Sequence, residues 1–138
     1  MSRPVIVAWH VASGAAVGAL AGSRGRAIAC GALLHVLSDA VPHWDIASRR
    51  FEFRSGVIML AALAVLRGPL DPAVLGAVAS SAPDAEHVVR LPRPRGRKLF
   101  PSHRWHGWHK PGGVPTWAQL LAAGFLFGRV VARRPGVR

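Results

Sequence analysis

Ala27-Ile28-Ala29-Cys30-Gly31-Ala32-Leu33-Leu34-His35-Val36-Leu37-Ser38-Asp39-Ala40-Val41-Pro42 is an apolar run that holds two ionisable side chains. Ala27, Gly31, His35 and Asp39 recur at every fourth residue, which sets them on one face of an α-helix. Pro42 predicts where that helix stops, because the residue before a proline is pushed out of helical geometry. Apart from this stripe of small and polar residues, the run is nearly all aliphatic. Such a helix turns its stripe to a protein interior and its other faces to lipid or to a large core.

The pattern repeats on both sides. Upstream, Val5 to Ala21 is apolar, with Gly14, Gly18 and Gly22 four apart, and one further step back reaches His10. Downstream, Asp71 and Pro72 predict the N-cap and first position of a helix whose stripe is Gly76, Ser80 and Asp84. Two more helices are expected. Ser55 to Leu66 contains no ionisable residue, and a last helix runs from about Pro115 to Ala132 with Gly124 and Gly128 four apart. The expectation is an all-α fold: a compact transmembrane bundle of about five short helices, one domain over residues 1–138. If the helices alternate in direction, the start of the first and the ends of the second and fourth meet on one side. Every candidate ligand then lies at one membrane face.

Composition supports a membrane protein. Of 138 residues, 51% are hydrophobic, yet the formal net charge is +12. Apolar spans joined by arginine-bearing loops reconcile the two. More of the arginine falls on the ligand side, which favours a cytoplasmic site, although the C-terminal arginines oppose it. A signal peptide ending at Ala19-Leu20-Ala21 and a soluble bundle with an unusually apolar core are the competing readings. The single cysteine, Cys30, excludes an intramolecular disulfide and a Cys-x-x-Cys metal knuckle.

The chain has only six acidic residues and seven histidines, and most of them cluster. His35 and Asp39, at i and i+4, offer two ligands from one helix face, and Asp84 and His87, at i and i+3, do the same. His103, His106 and His109 follow in a basic, histidine-rich loop over about 88–113; their spacing of three aligns them only on a tight helix. His103 and His106 are taken as ligands. His10, His43, Asp45 and His109 are placed behind the ligands or at another ion, with hydrogen-bonded structural roles as the alternative. Glu86, between Asp84 and His87, is the candidate general base to an ion-activated water. The cofactor expected is a divalent metal, zinc first.

Pro83-Asp84-Ala85-Glu86-His87 resembles the Pro-Asp-x-Asp-His motif of the bacterial membrane-bound metal-dependent hydrolases, a family related to the LexA-regulated inner-membrane hydrolase. His35-x-x-x-Asp39 is similar to that family's His-x-x-x-Asp, and His103-Arg104-x-His106 partly resembles its His-Arg-Gly-x-Thr-His. Leu34 to Asp45 also resembles the Ser-His-x-x-Leu-Asp-x-x-Pro-His-x-Asp pattern of small bacterial membrane proteins. Here the His-x-x-x-Asp element precedes the Pro-Asp motif instead of following it, and the Gly and Thr are missing. The resemblance implies a helical membrane protein with a metal centre, distantly like zinc-dependent phospholipase C.

The function expected is metal-dependent hydrolysis of an ester or phosphoester at a bacterial inner membrane crossed several times by the chain. The alternatives are a non-enzymatic membrane protein with a structural metal or ion-pair site, and a small channel or carrier. Arg90 to Lys98 is expected to meet anionic lipid headgroups. It lacks a nucleic-acid-binding fold, so nucleic acid is not the expected partner. Trp105, Trp108 and Trp117 read as interfacial anchors.

Overall fold

A computed structural model describes residues 6–108 and 110–133, with Val88 described by its backbone alone. Among these residues the regular structure is helical, and two isolated bridges, His43 to Pro111 and His43 to Val114, are the extended pairings. The helices are α1 (Val7–Leu20), α2 (Arg24–Ala40), α3 (Arg49–Arg67), α4 (Pro72–Ser81), the one-turn α5 (Ala85–Val88) and α6 (Thr116–Ala132). Tight 3₁₀ turns precede α5 at Ala82–Asp84 and follow it at Pro94–Gly96 and Pro101–His103.

Local chemistry accounts for the helix ends. The Ser23 hydroxyl accepts from the Arg26 N–H and starts α2, three residues before the predicted Ala27. The Asp71 carboxylate accepts from the Ala73 N–H at 2.8 Å, with Pro72 in the first helical position as predicted. Val41, before Pro42, takes an extended conformation and ends α2. α3 begins at Arg49 and not at Ser55, because Ser48 caps it by accepting from Phe51 N–H.

The small-residue stripes are where the helices touch. The buried residues of α2 are Ala27, Gly31, His35 and Asp39, the four of the stripe. α4 lies between α1 and α2, with Gly76 at both crossings. A Cβ on Gly14 would fall 2.5 Å from the Gly76 oxygen and from Ser80 Cβ. One on Gly76 would strike the Gly14 carbonyl and lie 2.8 Å from Gly18 Cα, and one on Gly31 would strike Gly76 O. Backbone meets backbone at these positions, so only glycine fits. Gly22 is not part of the stripe; it turns the chain with φ +74° and has open space around it. Gly124 and Gly128 also face open space.

Gly18 packs on Pro72 and Gly14 on Ser80, so α1 and α4 run antiparallel. His35 meets Ser80 and Arg24 meets Leu70, so α2 runs with α4. The start of α3 meets the start of α1 through Glu52 and Val7, and the end of α6 meets the end of α3 through Arg67 and Val130. The expected alternation is therefore present. It brings His10, Asp39 and Asp84 to one end and the α1–α2 and α3–α4 turns to the other.

The expected spanning length is not reached. No helix of the described residues is long and apolar enough to cross a membrane. α1 has 14 residues and α4 has 10, about 21 Å and about 15 Å at 1.5 Å per residue, against a hydrocarbon core of about 30 Å. Large apolar side chains nonetheless stand on the outer surface. Leu20, Leu33, Leu37, Ile58, Val65, Leu66, Leu121 and Phe125 are all exposed, Val65 by 84%.

Candidate metal centre

Six side chains from five elements converge at the ligand end. His10 is the fourth residue of α1, one turn before Gly14 on the face that meets α4. His35 and Asp39 come from the last turns of α2, and Asp84 from the 3₁₀ turn after α4. His87 comes from α5, and His103 from the 3₁₀ turn opened by Pro101. Three overlapping sets have ligand atoms within 4.8 Å of one another: His10, His35 and Asp84; His35, Asp39 and His103; Asp84, His87 and His103. His35, Asp84 and His103 each belong to two sets.

The orientation of the imidazoles is fixed from behind. The His35 Nδ1–H donates to the Ser80 carbonyl at 2.8 Å, since a carbonyl only accepts. In the neutral ring that leaves Nε2 as the lone-pair nitrogen; it lies 3.1 Å from Asp39 Oδ2, to which a protonated ring donates, and 3.4 Å from His103 Nε2. The His103 Nδ1–H donates to Glu86 Oε1 at 3.1 Å, so its Nε2 also points inward, 3.7 Å from Asp39 Oδ2 and 3.9 Å from Asp84 Oδ1. His10 Nε2 lies 3.4 Å from Asp39 Oδ1 and 3.9 Å from Asp84 Oδ2, and its ring stands 4.5 Å from that of His35. Both Asp84 oxygens and His87 Nε2 are buried without a hydrogen-bond partner among the described residues.

Buried lone pairs facing one another across 3.4 Å, between two carboxylates, are costly unless a proton or a metal cation lies among them. Nitrogen and oxygen donors on histidine and aspartate suit zinc, iron or manganese. The residues therefore fit a divalent ion, and the buried cluster is a group that can hold one.

Glu86 stands behind His103. Its Oε1 accepts from His103, and its Oε2 accepts from the Leu99 N–H at 2.8 Å and the Phe100 N–H at 3.3 Å. Burial alone pushes this carboxyl up, but the bonds from His103, Leu99 and Phe100 outweigh it and hold Glu86 below the usual range. A carboxylate behind a ligand histidine fixes its tautomer and raises its basicity. His87 is pushed down to about 4, by burial first and then by the charges of Lys98 and His103, which keeps it a neutral donor. Burial likewise lowers His103.

The other expected residues lie elsewhere. His43 donates Nδ1–H to the Val41 carbonyl at 2.6 Å and sets Nε2 3.3 Å from Asp45, which raises its pKa. With the bridges to Pro111 and Val114, this pair closes the loop after α2. His106 is exposed, beyond the turn that carries His103, and belongs to none of the three sets. His109 lies outside the described residues. Trp108 donates its indole N–H to the Val36 carbonyl at 2.9 Å and so pins the histidine loop to α2, while Trp105 and Trp117 are exposed.

Two contributors carry little sequence signal. The Ser80 carbonyl orients His35, and only the place of Ser80 on the stripe hints at it. Glu52, buried on α3, accepts from the Val7 N–H at 2.6 Å and satisfies a free donor at the start of the helix that carries His10.

Comparison of the chain with protein-family models, curated proteins and solved structures finds no match.

Proposed function

We propose that the chain is a metal-dependent hydrolase of an ester or phosphoester at a membrane surface, with the ion, zinc first, held among His10, His35, Asp39, Asp84, His87 and His103. The observation that carries this reading is the His35–His103 pair. Both Nδ1–H groups are tied to acceptors, and both Nε2 atoms face one spot between two aspartates. A divalent ion bound there supplies the hydrolytic chemistry, lowering the pKa of water and polarising the scissile group. The chain's own part is to hold His35 through Ser80 and His103 through Glu86. Lys98, whose charge bears on His87 and His103, draws an anionic substrate to the mouth.

The apolar outer faces of α2, α3 and α6 support insertion into a bacterial inner membrane, with short helices accommodated by thinning or partial insertion. The basic loop then meets anionic headgroups. This is the setting that the resemblance to membrane-bound metal-dependent hydrolases implies.

One observation favours a structural ion instead. His10, His35, Asp39 and Asp84 are each at most 3% exposed, and structural metal sites are closed where catalytic ones keep an open position. Turnover separates the two. Detergent-purified protein loaded with zinc is assayed on phospholipid and phosphodiester substrates beside Asp84→Asn. Zinc-dependent hydrolysis lost in the variant supports the enzyme. Stoichiometric zinc with no hydrolysis of any substrate supports the structural ion and removes the enzyme reading.

A further inference from the structure

At the opposite end from the metal centre, the α1–α2 turn, the α3–α4 turn and the end of α6 line a half-open cavity of about 740 Å³. Arg24, Arg67 and Arg133 line it, together with Ser23, Leu70 and Asp71. The carboxylate in this wall is already committed. Asp71 Oδ1 accepts from Arg67 Nε at 3.1 Å and from the Ala73 N–H at 2.8 Å. Three guanidinium groups against one occupied carboxylate leave the cavity positive; the positive helix ends at the starts of α2 and α4 are offset by the negative ends of α1, α3 and α6.

Two of the arginines are held in place. Arg67 donates Nη1 to the carbonyls of Val130, at 3.0 Å, and Arg133, at 2.6 Å, which locks its plane against the wall. Arg24 donates Nε to the Leu70 carbonyl at 3.1 Å. The described residues offer no hydrogen-bond acceptor to the two terminal nitrogens of Arg24 or to Nη2 of Arg67. Fixed guanidinium forks of this kind match the oxygens of a phosphate. The volume lies in the range of ligand pockets and is far larger than a bare phosphate needs. Leu20, Leu66 and Leu70, each more than half exposed, stand at this end.

We propose that this cavity binds a phosphate ester, with Arg24 and Arg133 gripping the phosphate and Arg67 forming the rigid wall behind it. The ester is either a phospholipid headgroup or a soluble phosphomonoester. The chemistry is shared, and the source is an experimental outcome. The site is independent of the metal centre.

The test titrates full-length detergent-purified protein with glycerol phosphate, by calorimetry, and with vesicles of phosphatidylcholine containing or lacking phosphatidylglycerol, by flotation. Wild type is compared with the Arg24→Gln/Arg133→Gln double variant, which leaves the Arg67 clasp intact, and with His35→Ala at the metal centre. Binding weakened about ten-fold or more per arginine removed, and unchanged in His35→Ala, supports the site. If glycerol phosphate carries the effect the ligand is soluble; if only the anionic vesicles do, it is lipid. Binding absent in both arms, equal in the double variant, or lost only in His35→Ala overturns the proposal.

Discussion

Glu86 acts through His103. Its carboxylate holds the His103 Nδ1–H and, by accepting from two backbone N–H groups, ties the loop at Leu99 and Phe100 to α5. Glu86→Gln keeps the shape but weakens that hold, and it is expected to lower zinc affinity by about 10–100-fold, the usual cost of losing a partner behind a ligand histidine. Competition with a zinc-binding dye checks this; unchanged affinity would remove the role. Glu52 gives a second residue-scale prediction. Burial pushes it up to about 7 from 4.5, although the Val7 N–H opposes this. A carboxyl raised in the folded state favours folding below its unfolded pKa, and that contribution is lost as pH rises through about 7. Glu52→Gln is therefore expected to be more stable than wild type at pH 8 and nearly equal to it at pH 4.5, read as the difference between their denaturation midpoints. At this scale the sequence reveals the pairs whose partners are local, such as His35 with Asp39. It hides Glu52, whose partner is 45 residues away and whose helix start is masked by Arg49, Arg50 and Arg54. It does not separate His103 from His106 either, because the 3₁₀ turn that carries His103 ends there and the chain from 104 to 106 is irregular.

The stripes are the element-scale result. They were legible because small residues at intervals of four have one physical use on a helix, which is close approach. Periodicity alone does not tell a used stripe from an unused one. Gly76 is pressed between two helices, whereas Gly124 on α6 has open space where its Cβ would be. Gly76→Ala is expected to force α1 and α2 off α4 and to cost at least the ~1–3 kcal/mol typical of overpacking. Gly124→Ala is expected to be neutral or to stabilise by up to ~1 kcal/mol through helix propensity. Thermal or denaturant unfolding of the two variants decides it; equal effects would contradict the crossing at Gly76.

On the scale of the whole molecule, a buried polar cluster at one end adjoins an apolar core around Val11, Leu63 and Val74, and large apolar side chains also cover much of the outside. The alternation of helices, and with it the gathering of ligands at one end, followed from the order of the stripes and turns. Helix length was less legible, since an apolar run gives no sign of where capping and turns will cut it. We expect the apolar exterior to keep the protein in the pellet when membranes of expressing cells are extracted with alkaline carbonate; release into the supernatant would count against membrane insertion. The central claim is the ion. Cobalt(II) titration of purified protein, followed by visible absorption, reports both uptake and ligand type. We predict saturable binding with the ligand-field bands of a nitrogen and oxygen site, displaced by zinc and abolished in His35→Ala and His103→Ala variants that keep the helical circular-dichroism spectrum. No uptake by the folded wild-type protein, or uptake unaltered in both variants, would contradict it.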